Sequence, residues 1–196
     1  MKLQTLVHRP SRALIDWSDR VLDFGVPDRF TRPGMFVCSD ELPDGRYCAV
    51  FEVVGPPTVP VHLVHSPDGK NWGPPDSIGE LLISSSGTTL AGSPNLAWRS
   101  TADGRVEILV TGRLSLESDG TPSNYALLNV NGGNGSWRSV ALPVHAVHEL
   151  EGENSGYSQS LVWAADGSIV QATTVRNAQG SHDIVIGHAS PISEKY

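Results

Sequence analysis

Three stretches decide how this chain reads: MFVCSDELPDGRYCAVFEVV (35–54), PNLAWRSTADGRVEILVTGR (94–113) and YSQSLVWAADGSIVQATTVR (157–176). Each is an extended run rich in β-branched and aromatic residues, an Asp-Gly pair and a second extended run, the short-range pattern of a β-hairpin. The pairs Asp44-Gly45, Asp103-Gly104 and Asp166-Gly167 predict type I′ turns, in which both central residues take positive φ. They recur in steps of 59 and 63 residues, so the repeating unit is larger than a hairpin.

A third strand candidate follows each hairpin: VPVHLVHS (59–66), NYALLNV (124–130) and HDIVIGHAS (182–190). The first runs into Ser66-Pro67-Asp68-Gly69-Lys70-Asn71-Trp72. There Asp68 can accept backbone N–H groups, Gly69 can take positive φ, and Trp72 can cover the neighbouring strand. A degraded copy, Asn131 to Trp137, lacks the aspartate and leaves the turn to Gly and Asn. Upstream, Thr5 to His8 and then Ser11 to Trp17 repeat the Ser-to-Trp spacing of six, while downstream only Pro191 to Tyr196 follow the last strand.

The expected architecture is an all-β propeller of four-stranded antiparallel blades, about three per chain and thirteen strands in all. Residues 1–33 read as the end of a preceding blade, 34–90 and 91–150 as blades, and 151–196 as an incomplete one. Propellers close with about four to eight blades. The expectation is therefore part of a six-bladed ring, either within a longer protein or completed as a homo-oligomer. The N-terminal strands are a further candidate to finish the last blade, because an exposed edge invites aggregation.

Composition agrees with many short strands: 196 residues hold 20 Gly and 14 Pro, with 39% hydrophobic and 18% charged residues. A net charge of -7 with singly scattered basic residues argues against nucleic acid as a partner. No apolar run approaches the roughly 20 residues of a membrane span. The start MKLQTLVHRP reaches His8 and Arg9 before an apolar segment forms, so no secretory signal is evident and the chain as written reads as cytoplasmic. Cys38 and Cys48 lie on two arms of one hairpin, where a two-residue turn sets Cys48 opposite Glu41 and the thiols on different faces; both read as free core cysteines.

Gly34-Met35, Leu42-Pro43-Asp44-Gly45, Ala49-Val50-Phe51-Glu52, Ser66-Pro67-Asp68-Gly69 and Trp72-Gly73 together resemble the sialidase-like six-bladed glycoside hydrolases, nearest the exo-arabinanase branch. The heptapeptide 66–72 resembles their Asp box, and Gly156-Tyr157-Ser158 resembles the sialidase strand that carries a nucleophilic Tyr. The resemblance covers most of the chain but corresponds to the second half only of such an enzyme. It implies a hydrolase acting on an oligosaccharide or small-molecule ligand at the central channel. Related fungal propellers act as pericyclase-type cyclases, so a cyclase and a non-catalytic sugar-binding module stay open beside the hydrolase.

Position in a propeller selects the candidate residues, because ligands bind at one end of the channel. Asn95 and Tyr157 start innermost strands, and Glu52, Arg113 and Arg176 end second strands, which puts all five at one rim. Met35 and Phe51 would shape the pocket. Glu52 ends an apolar run, where burial raises a carboxyl pKa toward the range of a general acid; the alternative is a strand-end Glu in solvent. The resemblance implies Tyr157 as a nucleophile activated by a carboxylate, against an aromatic wall residue. Arg113 and Arg176 hold equivalent places and would clamp a carboxylate-bearing ligand, or stand solvated at the rim.

Glycosidases ordinarily need a second carboxylate, and the acidic loop Glu117 to Asp119 and the pair Glu151 and Glu153 are the candidates. His62 and His65, three apart on a strand, point to opposite faces, and His145 and His148 share that problem; His182 and His188 also read as structural. No metal and no cofactor is expected. The Gly-rich stretch 131–135 leads into a strand, so it is no phosphate cradle.

Overall fold

The computed structural model describes residues 31–53, 59–73, 78–123, 125–142, 144 and 160–190, the side chains of 31–36 excepted. Three sheets follow one another along the chain. The first is β1 (Thr31–Cys38), β2 (Tyr47–Val53), β3 (Val61–Ser66) and β4 (Glu80–Leu81), in that order and antiparallel throughout. The second joins β6 (Asn95–Ser100), β7 (Val106–Thr111), β10 (Tyr125–Asn129) and β11 (Arg138–Ala141) in the same way. The third holds β12 (Ser160–Trp163), β13 (Ile169–Arg176) and β14 (His182–Ala189). All three predicted hairpins and all three predicted third strands are present.

A small sheet was not foreseen. β5 (Thr89–Ala91), β8 (Leu114–Leu116) and β9 (Pro122–Ser123) pair with one another, so Glu117 to Asp119 is the tip of the β8–β9 hairpin and not an open loop. Three-residue strands carry too little periodicity to be read from sequence.

The Asp-Gly turns depart from the type I′ expectation. Gly45 N–H bonds Leu42 C=O at 2.8 Å while Leu42 N–H bonds Arg46 C=O at 2.7 Å, and the same pair of bonds recurs at Thr101/Gly104/Arg105 and Ala164/Gly167/Ser168. Only the glycines are left-handed, at φ 81, 82 and 83, because Ser93 is the one described non-glycine residue with positive φ. This is a type I turn closed by a glycine bulge, one residue longer than a I′ loop. The aspartates favour it: Asp44 and Asp166 each accept the N–H two residues on, at 3.1 and 2.9 Å, which they do from right-handed backbone. The longer turn shifts the register by one and an irregularity between Ser39 and Leu42 by one more, so Cys48 faces Ser39 rather than Glu41. A shift of two keeps faces, and the thiols are free and on opposite sides as expected, but Cys38 is exposed and only Cys48 lies in the core.

The central strands are buried on both faces. Every residue of β2 from Cys48 to Val53 is buried, and so are Glu107 to Thr111 of β7. One core cluster joins Cys48, Val50 and Leu63 of the first sheet to Leu96, Ile108, Val110 and Leu127 of the second. Another joins Leu109, Ala126 and Leu128 of the second to Leu161 and Ile169 of the third. A third, Ala49, Phe51, Val53 and Val64, covers the far face of the first sheet with Trp72 packed against it.

The turn that delivers Trp72 is held by Asp68. Its Oδ1 accepts the N–H groups of Lys70 and Asn71, each at 2.8 Å, and the Ser66 hydroxyl at 3.2 Å, while Asn71 Nδ2 donates to Oδ2 at 2.7 Å. In the degraded copy the missing aspartate is replaced by Asn129, from within β10: its Oδ1 accepts Asn131 and Gly133 N–H, and its Nδ2 donates to the carbonyls of Asn134 and Ser136. The bonds from Asn71 and Lys70 N–H hold the Asp68 carboxyl down to about 2. Because the folded value lies below the unfolded one, the stability this group contributes is present above about pH 4 and is lost as pH falls toward 2. Urea unfolding of Asp68→Asn should accordingly lose less stability than wild type between about pH 4 and pH 2; parallel acid limbs for the two proteins would refute the assignment.

Candidate functional site

The candidate site grows from Ala91-Gly92-Ser93-Pro94-Asn95, the link between β5 and β6. Gly92 and Ser93 are both left-handed, at φ 68 and φ 40. For Ser93 that is a strained conformation, the kind that persists only when its surroundings over-determine it. Three bonds do so: Gly92 N–H to Val59 C=O at 3.0 Å, Arg113 N–H to Gly92 C=O at 2.6 Å, and Ser93 N–H to Glu52 Oε1 at 2.5 Å.

Glu52 is 2% exposed, so the alternative of a solvated strand-end Glu does not hold. A carboxylate in such a place requires hydrogen-bonded company, and the Ser93 N–H supplies part of it. A Cβ on Gly92 would lie 3.4 Å from Glu52 Oε1 and 3.4 Å from Arg113 Nε. A carboxylate and a guanidinium thus flank Gly92, whose left-handed φ favours glycine. Asn95 is half-buried beside it, directly opposite Thr111 in the β6–β7 ladder, two residues before Arg113.

Two of the seven predicted residues, Glu52 and Arg113, therefore meet at Gly92, and Asn95 opens the strand that follows Ser93 and Pro94. Phe51 does not line this site: its ring is fully buried in the third core cluster, 6.3 Å from the His62 ring, because it points to the opposite face of β2 from Val50. Arg176 ends β13 on the third sheet, exposed, its Nη2 3.6 Å from where a Gly180 Cβ would be. Met35 lies in β1 with its side chain outside the described residues, and Tyr157, Glu151, Glu153, His145 and His148 also fall outside them. Gly92 and Ser93 were not singled out from sequence; the signal was a Gly-Ser-Pro between two strands, where a left-handed kink has the residue it needs.

The opposite end of the second and third sheets carries a different cluster. Arg99 bonds Glu107 Oε2 through Nε and Nη2, each at 2.7 Å, stacks 4.6 Å from the Trp163 ring centre, and reaches Gly167 C=O at 3.3 Å. Glu107 is buried, so the pair is shielded from screening, and the cation lies on an aromatic face. An open cleft of about 460 Å³, lined by Arg99, Thr101, Trp163 and Asp166 among others, sits over it.

His62 and His65 occupy opposite faces of β3, as their spacing predicts. His62 is buried beside Phe51, and His65 Nε2 lies 3.1 Å from Gly132 C=O, with burial lowering its pKa. His182 and His188 are exposed on β14. Among the described residues no three His, Cys, Asp or Glu side chains converge to hold a metal.

No family model and no curated relative matches this sequence. Solved structures do. The α-L-arabinofuranosidase of Fusarium graminearum in complex with an iminosugar inhibitor superposes with a TM-score of 0.64 at 21% identity, over 89% of this chain and 47% of that one. The GH93 α-L-arabinofuranosidase of the same organism with arabinobiose gives 0.63 at 22% identity, over 87% and 46%. The α-L-arabinanase of Penicillium chrysogenum with arabinobiose gives 0.55 at 18%, over 79% and 42%. The chain has the β-propeller fold of these proteins and spans less than half their length.

The Glu52–Ser93 contact makes a stability ordering. Glu52→Gln keeps an acceptor for the buried N–H, whereas Glu52→Ala strands it, so urea unfolding should place the Ala variant about 1–3 kcal/mol below the Gln variant. Equal stabilities would mean that the carboxylate does not support the strained turn.

Proposed function

We propose that the chain is the ligand-binding part of a carbohydrate-active, glycoside-hydrolase-like propeller of the sialidase and exo-arabinanase type, with its ligand at the central channel. The observation that carries this reading is the Glu52 carboxylate, buried at a strand end, bonded by the Ser93 N–H and flanked with Arg113 around the bare backbone of Gly92. The neighbours in fold are an arabinofuranosidase and an arabinanase holding arabinobiose or an iminosugar, which makes a sugar the first ligand to try. The turn at 66–72, with Asp68 taking four bonds and Trp72 packed on the sheet, reads as an Asp box at the blade periphery.

In this reading Glu52 is the general acid and base, protonating the leaving oxygen and then deprotonating water, while Arg113 and Asn95 orient sugar hydroxyls. The second group opposite Glu52 is Tyr157 as nucleophile, or Glu151 or Glu153. Glu117 is no longer a candidate: its carboxylate accepts the Thr88 hydroxyl, four strand residues or roughly 13 Å from Gly92. Glu107, five residues before Gly112 along β7, is roughly 17 Å away. Both exceed the roughly 5–9.5 Å that glycosidase carboxylate pairs use.

That separation is the observation favouring a second reading, a cyclase that positions a small molecule with Glu52 and Arg113 and needs no carboxylate pair. An aryl α-L-arabinofuranoside separates the two. Under the first reading Glu52→Gln lowers kcat/KM at least about 100-fold while its unfolding curve stays cooperative. Turnover unchanged by that substitution removes Glu52 from the chemistry, and sugar binding without turnover in wild type leaves a binding module.

A further inference from the structure

Every described residue with positive φ is a glycine except Ser93, at φ 40. The turns of this chain thus take the residue that reaches the left-handed region freely, and the one departure lies against a buried carboxylate. An L-residue is crowded there, because its Cβ approaches the carbonyl that follows. Pro94 adds to the restriction, since a residue before proline is itself confined. An outlier of this kind points to function when its surroundings show what it serves.

Those surroundings grip a single peptide. Gly92 C=O and Ser93 N–H belong to one planar unit and point in opposite directions. The carbonyl accepts Arg113 N–H at 2.6 Å, and the N–H donates to Glu52 Oε1 at 2.5 Å. Arg113 and Glu52 are thereby tied to opposite ends of the same peptide bond. Upstream the chain is fixed as well: Gly92 N–H bonds Val59 C=O at 3.0 Å, and Gly112, whose Cβ would lie 3.3 Å from Gly92 O, lets the end of β7 close on it.

A peptide plane turns over when ψ of the residue before it and φ of the residue after it rotate together. Glycine on both sides permits that rotation, and a Cβ obstructs it. Gly92 offers no obstruction, so the resistance falls to Ser93. Turned over, the peptide would aim its carbonyl oxygen at Glu52 and its N–H at the amide of Arg113. Both bonds would be lost, and two acceptors would face each other in a buried place.

We infer that Ser93 is a positioning residue that locks the 92–93 peptide against turning over, through its Cβ rather than its hydroxyl, and so keeps the Glu52 carboxylate in one place beside Arg113. Its consequence for turnover rests on Glu52 being the acid and base proposed above; its consequence at the amide does not.

Two variants separate the parts of the side chain: Ser93→Ala keeps the Cβ, Ser93→Gly removes it, and both are compatible with the native backbone. In NMR hydrogen exchange on the full 196-residue chain, corrected for intrinsic rates, the amide of residue 93 should exchange at least about tenfold faster in the Gly variant than in wild type, and within about twofold of wild type in the Ala variant. With an aryl α-L-arabinofuranoside, kcat of the Gly variant should fall about tenfold at a KM within about twofold, while the Ala variant holds both. The Gly variant should be at least as stable to urea as the Ala variant, because it relieves the left-handed strain. Stability and activity then rank the pair in opposite orders, which a merely structural residue does not produce. A Gly variant that exchanges at the wild-type rate, or an Ala variant that loses as much as the Gly variant, overturns the lock. So does a Gly variant with faster exchange and unchanged kcat in a protein that Glu52→Gln impairs. Wild type that turns over no glycoside removes the hydrolase reading alone, and the exchange comparison then decides.

Discussion

Face-to-face packing of antiparallel sheets is the constraint from which the rest of this structure follows. A sheet with one wet face would show alternating strands, but here β7 has a sheet against each face, and β2 has the second sheet on one side and Trp72 and Ile78 on the other, so both strands must be apolar or satisfied throughout. The consequence is a chain with few places to put a charge. Those that enter the packed region do so in pairs or at ends: Glu107 takes Arg99, and Glu52 sits where β2 runs out and a backbone N–H is at hand. Removing a single large side chain from these interfaces costs about 2–5 kcal/mol, so the spacing between sheets is not negotiable locally.

Most of the fold was legible because it is written twice or three times. The Asp-Gly turns, the run that follows each hairpin and the Ser-to-Trp turn are local patterns, and repetition separates them from chance. The turn type was misread because a type I turn with a glycine bulge and a I′ turn draw on the same two residues; what separates them is Pro43 and the side-chain bond of Asp44, which favour right-handed backbone before the glycine. The β5–β8–β9 sheet was invisible for the opposite reason, since strands of two or three residues have no period to detect.

The site was legible only in part, for reasons of distance along the chain. That Glu52 ends an apolar strand is local and could be read. That its carboxylate meets the amide of Ser93, 41 residues on, is a product of how β5 folds back over the end of β2, and no pattern of spacing announces it. The same holds for the convergence of Arg113 on Gly92. Phe51, adjacent to Glu52, was drawn into the predicted pocket by proximity in sequence, yet neighbours on a strand point to opposite faces and one of them had to belong to the core.

The two ends of the stacked sheets differ in chemistry. At the hairpin-turn end, Arg99 locks the second sheet to the third through Glu107, Trp163 and the Gly167 carbonyl, with its donors committed to protein partners. Such a cluster gains from rigidity and would lose by being opened to a ligand. At the other end the backbone itself is strained at Ser93, and a carboxylate and a guanidinium flank the neighbouring glycine. The stacking that buries β2 and β7 on both faces thus confines their carboxylates to the strand ends, Glu107 paired with Arg99 at one and Glu52 held by the Ser93 amide at the other.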